Sequence, residues 1–133
     1  MPKMTKVRDL MDTTFVSLKP DMNISEAIDI LMENRITGAA VVDEENQVIG
    51  LLSELDCLKT LLNAAYSHMP VTGVVSEYMT TDVFTIQADI DIFKLADLFL
   101  KQFYRRFPVV EDGKLVGQIT RRDLLRLIQR YNQ

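Results

Sequence analysis

The sequence has few of the residues on which disulfides, metal sites and nucleophilic catalysis depend. Its 133 residues include one cysteine, Cys57, and one histidine, His68. A single cysteine excludes an intramolecular disulfide and is typical of a reducing compartment. His68 has no second His or Cys near it in the sequence, which disfavours a metal site. No Ser/His/Asp or Cys/His set can be assembled without it. We therefore expect neither an enzyme nor a metalloprotein, with His68 exposed and Cys57 buried.

Long apolar runs are also missing. A run such as Gly50-Leu51-Leu52 is far too short to span a bilayer, and the charged first six residues have no apolar core of signal-peptide length. No glycine-rich phosphate loop of the Walker type is present. With 47% hydrophobic and 26% charged residues, the composition is ordinary for a globular protein. We expect a soluble cytoplasmic protein that does not bind membranes.

The net charge is small, but the charged residues are unevenly distributed along the chain. The net charge of -4 at pH 7 disfavours general binding to nucleic acid. From Lys94 to Arg130 there are nine Lys/Arg against four Asp/Glu, whereas the rest of the chain has six against fifteen. A basic stretch in an acidic protein can hold a compact anion. The same charges can equally form a solvated face.

What the chain does contain is an internal repeat. Leu10-Met11-Asp12-Thr13 recurs as Tyr78-Met79-Thr80-Thr81, and Val41-Val42 recurs as Val109-Val110. Each copy predicts a short strand, a helix, two further strands and a second helix, which makes β-α-β-β-α in roughly 55 residues. A unit that small rarely buries a core alone, so two copies are expected to share one. The predicted boundaries are 1–62 for repeat 1, 63–74 for a linker and 75–133 for repeat 2.

Local signals support these elements. Apolar residues spaced i, i+3, i+4, i+7 predict one buried stripe on the first helix of each copy, and they begin at Ile24 and at Ile92. Asn23 and Asp91 are the expected N-caps of these helices. Asp112-Gly113 predicts a tight hairpin turn between the last two strands of the second copy.

The motif with chemical potential occurs once in each copy. Gly50-Leu51-Leu52-Ser53-Glu54-Leu55-Asp56 and Gly117-Gln118-Ile119-Thr120-Arg121-Arg122-Asp123 both read Gly-x-apolar-Ser/Thr-x-x-Asp where a strand enters a helix. Glycine permits close backbone approach, and free N–H groups at a helix start accept anions. An Asp one turn into the helix can accept hydrogen bonds from two vicinal hydroxyls. The same spacing is also a plain capping box, and the two interpretations are compatible.

In the order of its elements, in this doubled motif and in Arg106-Phe107-Pro108-Val109-Val110, the chain resembles a pair of CBS domains, named after cystathionine β-synthase. The resemblance covers about Val7 to Arg130. It implies an α+β fold in which tandem CBS repeats pack as a pseudo-two-fold domain pair. It also implies adenosine-containing ligands bound in two clefts between the repeats. We expect AMP, ADP or ATP before S-adenosylmethionine or NAD, and no required cofactor.

The resemblance assigns residues to one cleft around the second motif. Asp123 is expected to hold ribose hydroxyls, and Thr120 to hold the ribose or a phosphate. Arg106 and Arg121 are expected to reach phosphates. The adenine is expected to rest against backbone of the other repeat, at Ile36, Thr37 and Gly38.

The opposite cleft is expected to use Ser53 and Asp56, with Tyr104 and Arg105 near the base. Here the chain departs from the family pattern, because Gly38-Ala39-Ala40 supplies no basic residue and Glu54 stands where the other repeat has Arg121. A negative charge beside Ser53 disfavours phosphate there. We therefore expect the Thr120/Asp123 cleft to bind nucleotide better.

Two functions remain open at this point. One is a regulatory module that senses an adenine nucleotide and acts on an effector protein or on its own dimer through a shift in conformation. The other is a structural dimerisation module, for which the apolar helices Leu55–Ala65 and Leu124–Ile128 would supply the faces.

Overall fold

The structure, a computed structural model, describes residues 5–102 and 104–131 of the chain. Two compact units divide these residues. We call Val16–Val83 the central unit, and residues 5–15 together with 84–131 the terminal unit. Each unit contains one three-stranded sheet, and in both sheets the strands follow sequence order.

The central unit is the β-α-β-β-α arrangement of the first copy. In chain order its elements are β1 (Ser17–Leu18), α1 (Ile24–Glu33), β2 (Gly38–Val42), β3 (Val48–Ser53) and α2 (Glu54–Tyr66). β1 runs parallel to β2, and β2 runs antiparallel to β3. All five residues of β2 are buried, which is expected of the middle strand of a covered sheet. The core of this unit consists of Leu18, Ile24, Ala27, Leu31, Ala39, Val41, Leu52, Cys57 and Val75.

The terminal unit repeats this arrangement with β4 (Ile86–Gln87), α3 (Ile92–Gln102), β5 (Arg106–Glu111), β6 (Lys114–Thr120) and α4 (Arg121–Tyr131). β4 is parallel to β5, and β5 is antiparallel to β6. Phe107 is fully buried at its centre. Around it the core consists of Val7, Ile86, Ala88, Ile92, Leu95, Val109, Ile119 and Leu124.

Each unit also takes up a segment that the predicted repeat boundaries assign elsewhere. Residues 5–15 belong to predicted repeat 1 but pack in the terminal unit, where Asp12 and Gln118 exchange backbone hydrogen bonds of 2.8 and 3.0 Å. The segment around Thr80 belongs to predicted repeat 2 but lies in the central unit, where Thr80 pairs with Leu51 at 2.8 and 2.9 Å. The two copies of the Leu-Met-Asp-Thr-like motif therefore make the same pairing, each beside the last strand of its unit.

The predicted elements and their caps are confirmed. Asn23 accepts a hydrogen bond from the N–H of Ser25 at 2.8 Å, and Asp91 accepts from the N–H groups of Phe93 and Lys94 at 3.0 Å. Between β5 and β6, Asp112 has φ 52° and Gly113 has φ 79°. Two successive positive φ angles make the twisted turn that a two-residue hairpin favours.

Candidate functional site

In the terminal unit, Thr120 and Asp123 form a reciprocal pair where β6 enters α4. The Thr120 hydroxyl donates to Asp123 Oδ2 at 2.8 Å and accepts from the Asp123 N–H at 3.1 Å. The Thr120 N–H donates to the same Oδ2 at 3.3 Å. Both residues are half-buried, so the pair is held firmly and still reaches the surface.

Ser53 and Asp56 form the same pair where β3 enters α2. The Ser53 hydroxyl donates to Asp56 Oδ2 at 2.9 Å and accepts from the Asp56 N–H at 3.1 Å, and the Ser53 N–H donates to Oδ2 at 3.0 Å. The capping interpretation is therefore confirmed in both units. In the described part of the chain both carboxylates make these bonds through Oδ2, so Oδ1 can still accept from a ligand.

Each helix start is also bonded to the loop before the middle strand of its own sheet. The Arg121 N–H donates to the carbonyl of Arg105 at 3.1 Å, and the Glu54 N–H donates to the carbonyl of Thr37 at 2.9 Å. The first and third N–H groups of both helices are thus satisfied within the protein. The prediction that these groups point outward for an anion was wrong, because the capping box and the neighbouring loop use them.

The same contacts show which predicted site residues lie together. In the terminal unit, Arg106 pairs with Thr120 across β5 and β6, so the predicted residues of this unit form one group: Tyr104, Arg105, Arg106, Thr120, Arg121 and Asp123. In the central unit, Gly38 pairs with Ser53, and Ile36 packs against the core. This unit brings together Ile36, Thr37, Gly38, Ser53 and Asp56. The predicted pairing of each group with residues of the other repeat stays a prediction.

The motif glycines serve a different purpose from the one expected. A Cβ at Gly117 would lie 2.7 Å from Met11 Sδ and 3.0 Å from the carbonyl oxygen of Asp12. A Cβ at Gly50 would collide with Met79. Each glycine thus lets the strand backbone lie close to a methionine of the segment paired beside it, Met11 at Gly117 and Met79 at Gly50. The sequence analysis did not predict these glycine–methionine contacts, although Met11 and Met79 occupy the same position in the two copies of the repeat.

The charges around the two helix starts differ as predicted. Arg105, Arg121 and Arg122 are exposed beside Thr120, and Arg106 is half-buried with Nη1 at 3.4 Å from Gln118 Oε1. In the central unit the corresponding positions include the exposed carboxylate of Glu54. A positive charge near a helix start attracts an anion, and a negative charge repels it. The arginines therefore favour an anion beside Thr120, and Glu54 disfavours one beside Ser53.

An aromatic cluster lies next to the arginines of the terminal unit. Tyr104 lies 5.4 Å from buried Phe107 and 6.4 Å from Phe84 between ring centroids. The side chains of Tyr104 and Phe84 are each 38% exposed, so part of both rings is open to a flat ligand. Phe84 was not among the predicted site residues.

Other chemistry is sparse in the described part of the chain. Across residues 5–102 and 104–131, no three His, Cys, Asp or Glu side chains group as metal ligands. No helix in those ranges is long and apolar enough to cross a membrane. His68 is exposed and Cys57 is buried, as expected. Burial raises the pKa of the Cys57 thiol, and the nearby Asp56 and Glu54 carboxylates raise it further.

Comparison with known proteins decides the family. The model of the CBS domain matches this chain twice, over residues 7–63 and 75–130. The chain belongs to the CBS domain family. The predicted α+β class with two CBS repeats is confirmed by this match and by the likeness to solved CBS-pair structures.

Two solved CBS-pair structures are similar over nearly the whole chain. CBSX2 of Arabidopsis thaliana, solved in complex with AMP, has a TM-score of 0.82 at 28% identity and covers 96% of this chain and 98% of its own. The CBS domain pair of protein MJ0100, solved with 5-methylthioadenosine and S-adenosyl-L-methionine, has a TM-score of 0.81 at 26% identity. It covers 97% of this chain and 99% of its own.

Among curated proteins, MJ1225 of Methanocaldococcus jannaschii is 33% identical over 122 residues. The match spans 92% of this CBS chain but 42% of that relative's length. The relative is therefore longer than the shared CBS module.

Proposed function

We propose that this CBS pair is a regulatory module that binds an adenine nucleotide, with AMP, ADP or ATP preferred over S-adenosylmethionine or NAD. The single observation that carries the proposal is the doubled Ser/Thr–Asp pair, in which the capping bonds use one oxygen of each carboxylate, Oδ2, and leave Oδ1 outside them. A carboxylate oxygen can accept hydrogen bonds from the vicinal hydroxyls of a ribose. The ligands of CBSX2 and of the MJ0100 domain pair are adenosine compounds, which supports this choice.

Of the two pairs, Thr120/Asp123 is the better nucleotide site. Arg106 stands opposite Thr120 across β5 and β6, and Arg121 is the first residue of α4. Arginine binds phosphate through several N–H donors. At the Ser53/Asp56 pair, the carboxylate of Glu54 would repel a phosphate.

Binding would regulate by shifting a population. A ligand favours whichever arrangement of the module it binds more tightly, and it shifts the equilibrium only by that difference in affinity. The output is a change in an effector protein or in the module's own dimer.

Titration calorimetry with AMP, comparing Asp123→Ala with Asp56→Ala, tests the proposal. Both substitutions remove the same capping-box contact and should cost about 1 kcal/mol of stability each, so each controls for the other. Asp123→Ala should weaken AMP binding by roughly 10- to 100-fold, since a hydrogen bond to a charged group is worth about 1.5–3 kcal/mol. Asp56→Ala should change it less than twofold, because the Glu54 carboxylate disfavours AMP beside Ser53. Equal losses would contradict the asymmetry, and no binding of AMP, ADP or ATP by the unaltered protein would contradict the proposal.

A second candidate function is dimerisation without a ligand. The apolar side chains of α2 favour it, because the side chains of Leu55, Leu58 and Leu62 are 58%, 59% and 48% exposed. Large exposed apolar side chains grouped on one helix are typical of an interaction surface.

A thermal shift panel of AMP, ADP, ATP, NAD and S-adenosylmethionine separates the two functions. A ligand at 100 times its dissociation constant adds about 2.7 kcal/mol of stability, which is a shift of several degrees. A flat panel, together with a dimer that Leu58→Glu disrupts, would favour the structural function.

A further inference from the structure

An open cavity lies in the central unit, between α2 and residues 69–72 that follow this helix. Its volume is about 410 Å³, and small-molecule sites typically have volumes of about 300–1,000 Å³, so it has room for a small ligand. All of its lining residues lie between Asp56 and Tyr78, within this one unit. Of the residues assigned above to nucleotide binding, the cavity includes only Asp56.

One wall of the cavity is a polar face of α2. Asp56, Lys59, Thr60 and Asn63 line it, and their spacing of three or four residues places them on one side of the helix. Asp56 and Lys59 carry opposite charges one turn apart, yet they form no ion pair within residues 5–102 and 104–131. The capping bonds of Asp56 use Oδ2, and Lys59 is exposed. Asp56 Oδ1 and the Lys59 ammonium can therefore both bind a ligand.

The opposite wall is largely apolar and is fixed to the unit. Met69 and Val71 line it, and Val71 and Tyr78 also pack against the core. The Tyr78 hydroxyl donates to the carbonyl of Thr72 at 2.5 Å, while the Met69 N–H donates to the carbonyl of Ala64 at 3.0 Å. Both ends of this wall are thus held in place before a ligand arrives, which lowers the entropic cost of binding.

The charges of the cavity favour a ligand that carries both signs. Asp56 attracts a cation and Lys59 attracts an anion, so one of the two repels any ligand with a single charge. The carboxylate of Glu54, exposed at the start of the same helix, adds to the repulsion of an anion such as a phosphate. An α-amino acid holds its ammonium and its carboxylate on one carbon atom. It can therefore reach both charges, which stand on neighbouring positions of one helix face.

We propose that this cavity binds a free α-amino acid with an apolar side chain. Asp56 Oδ1 accepts from the ligand ammonium, and Lys59 binds the ligand carboxylate. The side chain of the ligand lies against Met69 and Val71, where burial of its apolar surface contributes to affinity. The inference goes beyond the proposed function, because it gives the module a second ligand, bound by residues of the central unit.

Titration calorimetry on the full chain tests the chemistry of the ligand. L-leucine is compared with three analogues that each lack one feature: isoamylamine has no carboxylate, isocaproate has no ammonium, and glycine has no side chain. We expect each analogue to bind about 3- to 10-fold more weakly than leucine, as the loss of one partly exposed contact implies. L-methionine and L-phenylalanine extend the panel to other apolar side chains.

Two substitutions test the assigned contacts. Lys59→Met removes an exposed charge and should abolish the preference for leucine over isoamylamine. Asp56→Asn keeps an oxygen that can accept the capping bonds and should abolish the preference for leucine over isocaproate. Arg126→Met is the matched control, because Arg126 is exposed at the position in α4 that Lys59 occupies in α2. It should leave leucine affinity unchanged within twofold.

Amide NMR shifts locate the ligand, and leucine should move the signals of Lys59, Asn63 and Thr72. Shifts confined to the terminal unit would overturn the inference, as would equal affinities for leucine and the two analogues that lack a charge. Failure of leucine, methionine and phenylalanine to bind would overturn it as well. AMP is titrated in parallel on the same protein. If AMP binds and no amino acid does, only this inference fails; if leucine binds as expected and no adenine nucleotide does, only the proposed function fails.

Discussion

Substitution of Gly117 by alanine tests how residues 5–15 are packed in the terminal unit. The added Cβ would lie 2.7 Å from Met11 Sδ, 2.9 Å from Met11 Cγ and 3.0 Å from the carbonyl oxygen of Asp12. Met11 can adjust, because methionine has three rotatable bonds. The Asp12 oxygen cannot adjust alone, since it accepts the backbone hydrogen bond from Gln118. Relief of the clash must therefore move the segment itself.

The magnitude follows from two opposing effects. Forcing an extra methyl group into a packed contact costs about 1–3 kcal/mol. Alanine also reduces the entropy of the unfolded chain relative to glycine, which returns about 0.4–1 kcal/mol. We expect a net loss of about 1–2 kcal/mol. The matched variant Gly50→Ala should lose less, because its Cβ would meet only atoms of the Met79 side chain.

Urea unfolding followed by circular dichroism measures these losses, provided that the m-value is unchanged. The double variant Gly117→Ala/Met11→Ala gives a further check. With the methionine shortened, Gly117→Ala should cost less than in the natural background, with a coupling of about 1 kcal/mol as for residues in direct contact. A Gly117→Ala protein as stable as the unaltered one would refute the reasoning. So would a cost that Met11→Ala leaves unchanged, because the glycine would then not serve the methionine.

Three further predictions concern charge and protonation. Glu54→Arg should tighten AMP binding at the Ser53 helix start, since it replaces a repelling charge by an attracting one; calorimetry in an Asp123→Ala background measures it, and an unchanged affinity would contradict the electrostatic argument. The bond from the Thr14 hydroxyl lowers the pKa of Asp12 below its ordinary value of 3.8, so its folded-state advantage is present above that value and is lost as pH falls through the lowered pKa. The stability difference between the unaltered protein and Asp12→Asn should therefore shrink on acidification below about pH 4, and a pH-independent difference in urea midpoints would speak against it. Burial raises the pKa of Cys57, so iodoacetamide should react with it much more slowly at pH 8 in the native protein than in urea, where the thiol has its ordinary pKa; equal rates would show that the thiol is not protected.

Local signals in the sequence account for most of the secondary structure. The spacing of apolar residues predicted α1 and α3, and Asn23 and Asp91 cap them as expected. Asp112-Gly113 forms the predicted turn with both residues at positive φ. These predictions succeed because caps and turns depend on residues a few positions apart.

The candidate site was predictable in part for the same reason. The Ser/Thr–Asp pairs lie within one helical turn, so their spacing alone predicted a reciprocal bond. The state of the helix-start N–H groups was not predictable. It depends on the carbonyls of Arg105 and Thr37, and nothing in the local pattern shows that these loops reach the helix starts.

The sequence by itself determined the repeat, the element order, the caps and the family, because each of these is written in short-range patterns or in their recurrence. Only the tertiary structure decided where residues 5–15 pack and why Gly117 has to lack a side chain. Those outcomes depend on contacts between segments far apart in the chain, such as Met11 on Gly117. Such contacts follow from which surfaces complement each other once the sheets have formed, and a linear pattern does not specify that choice.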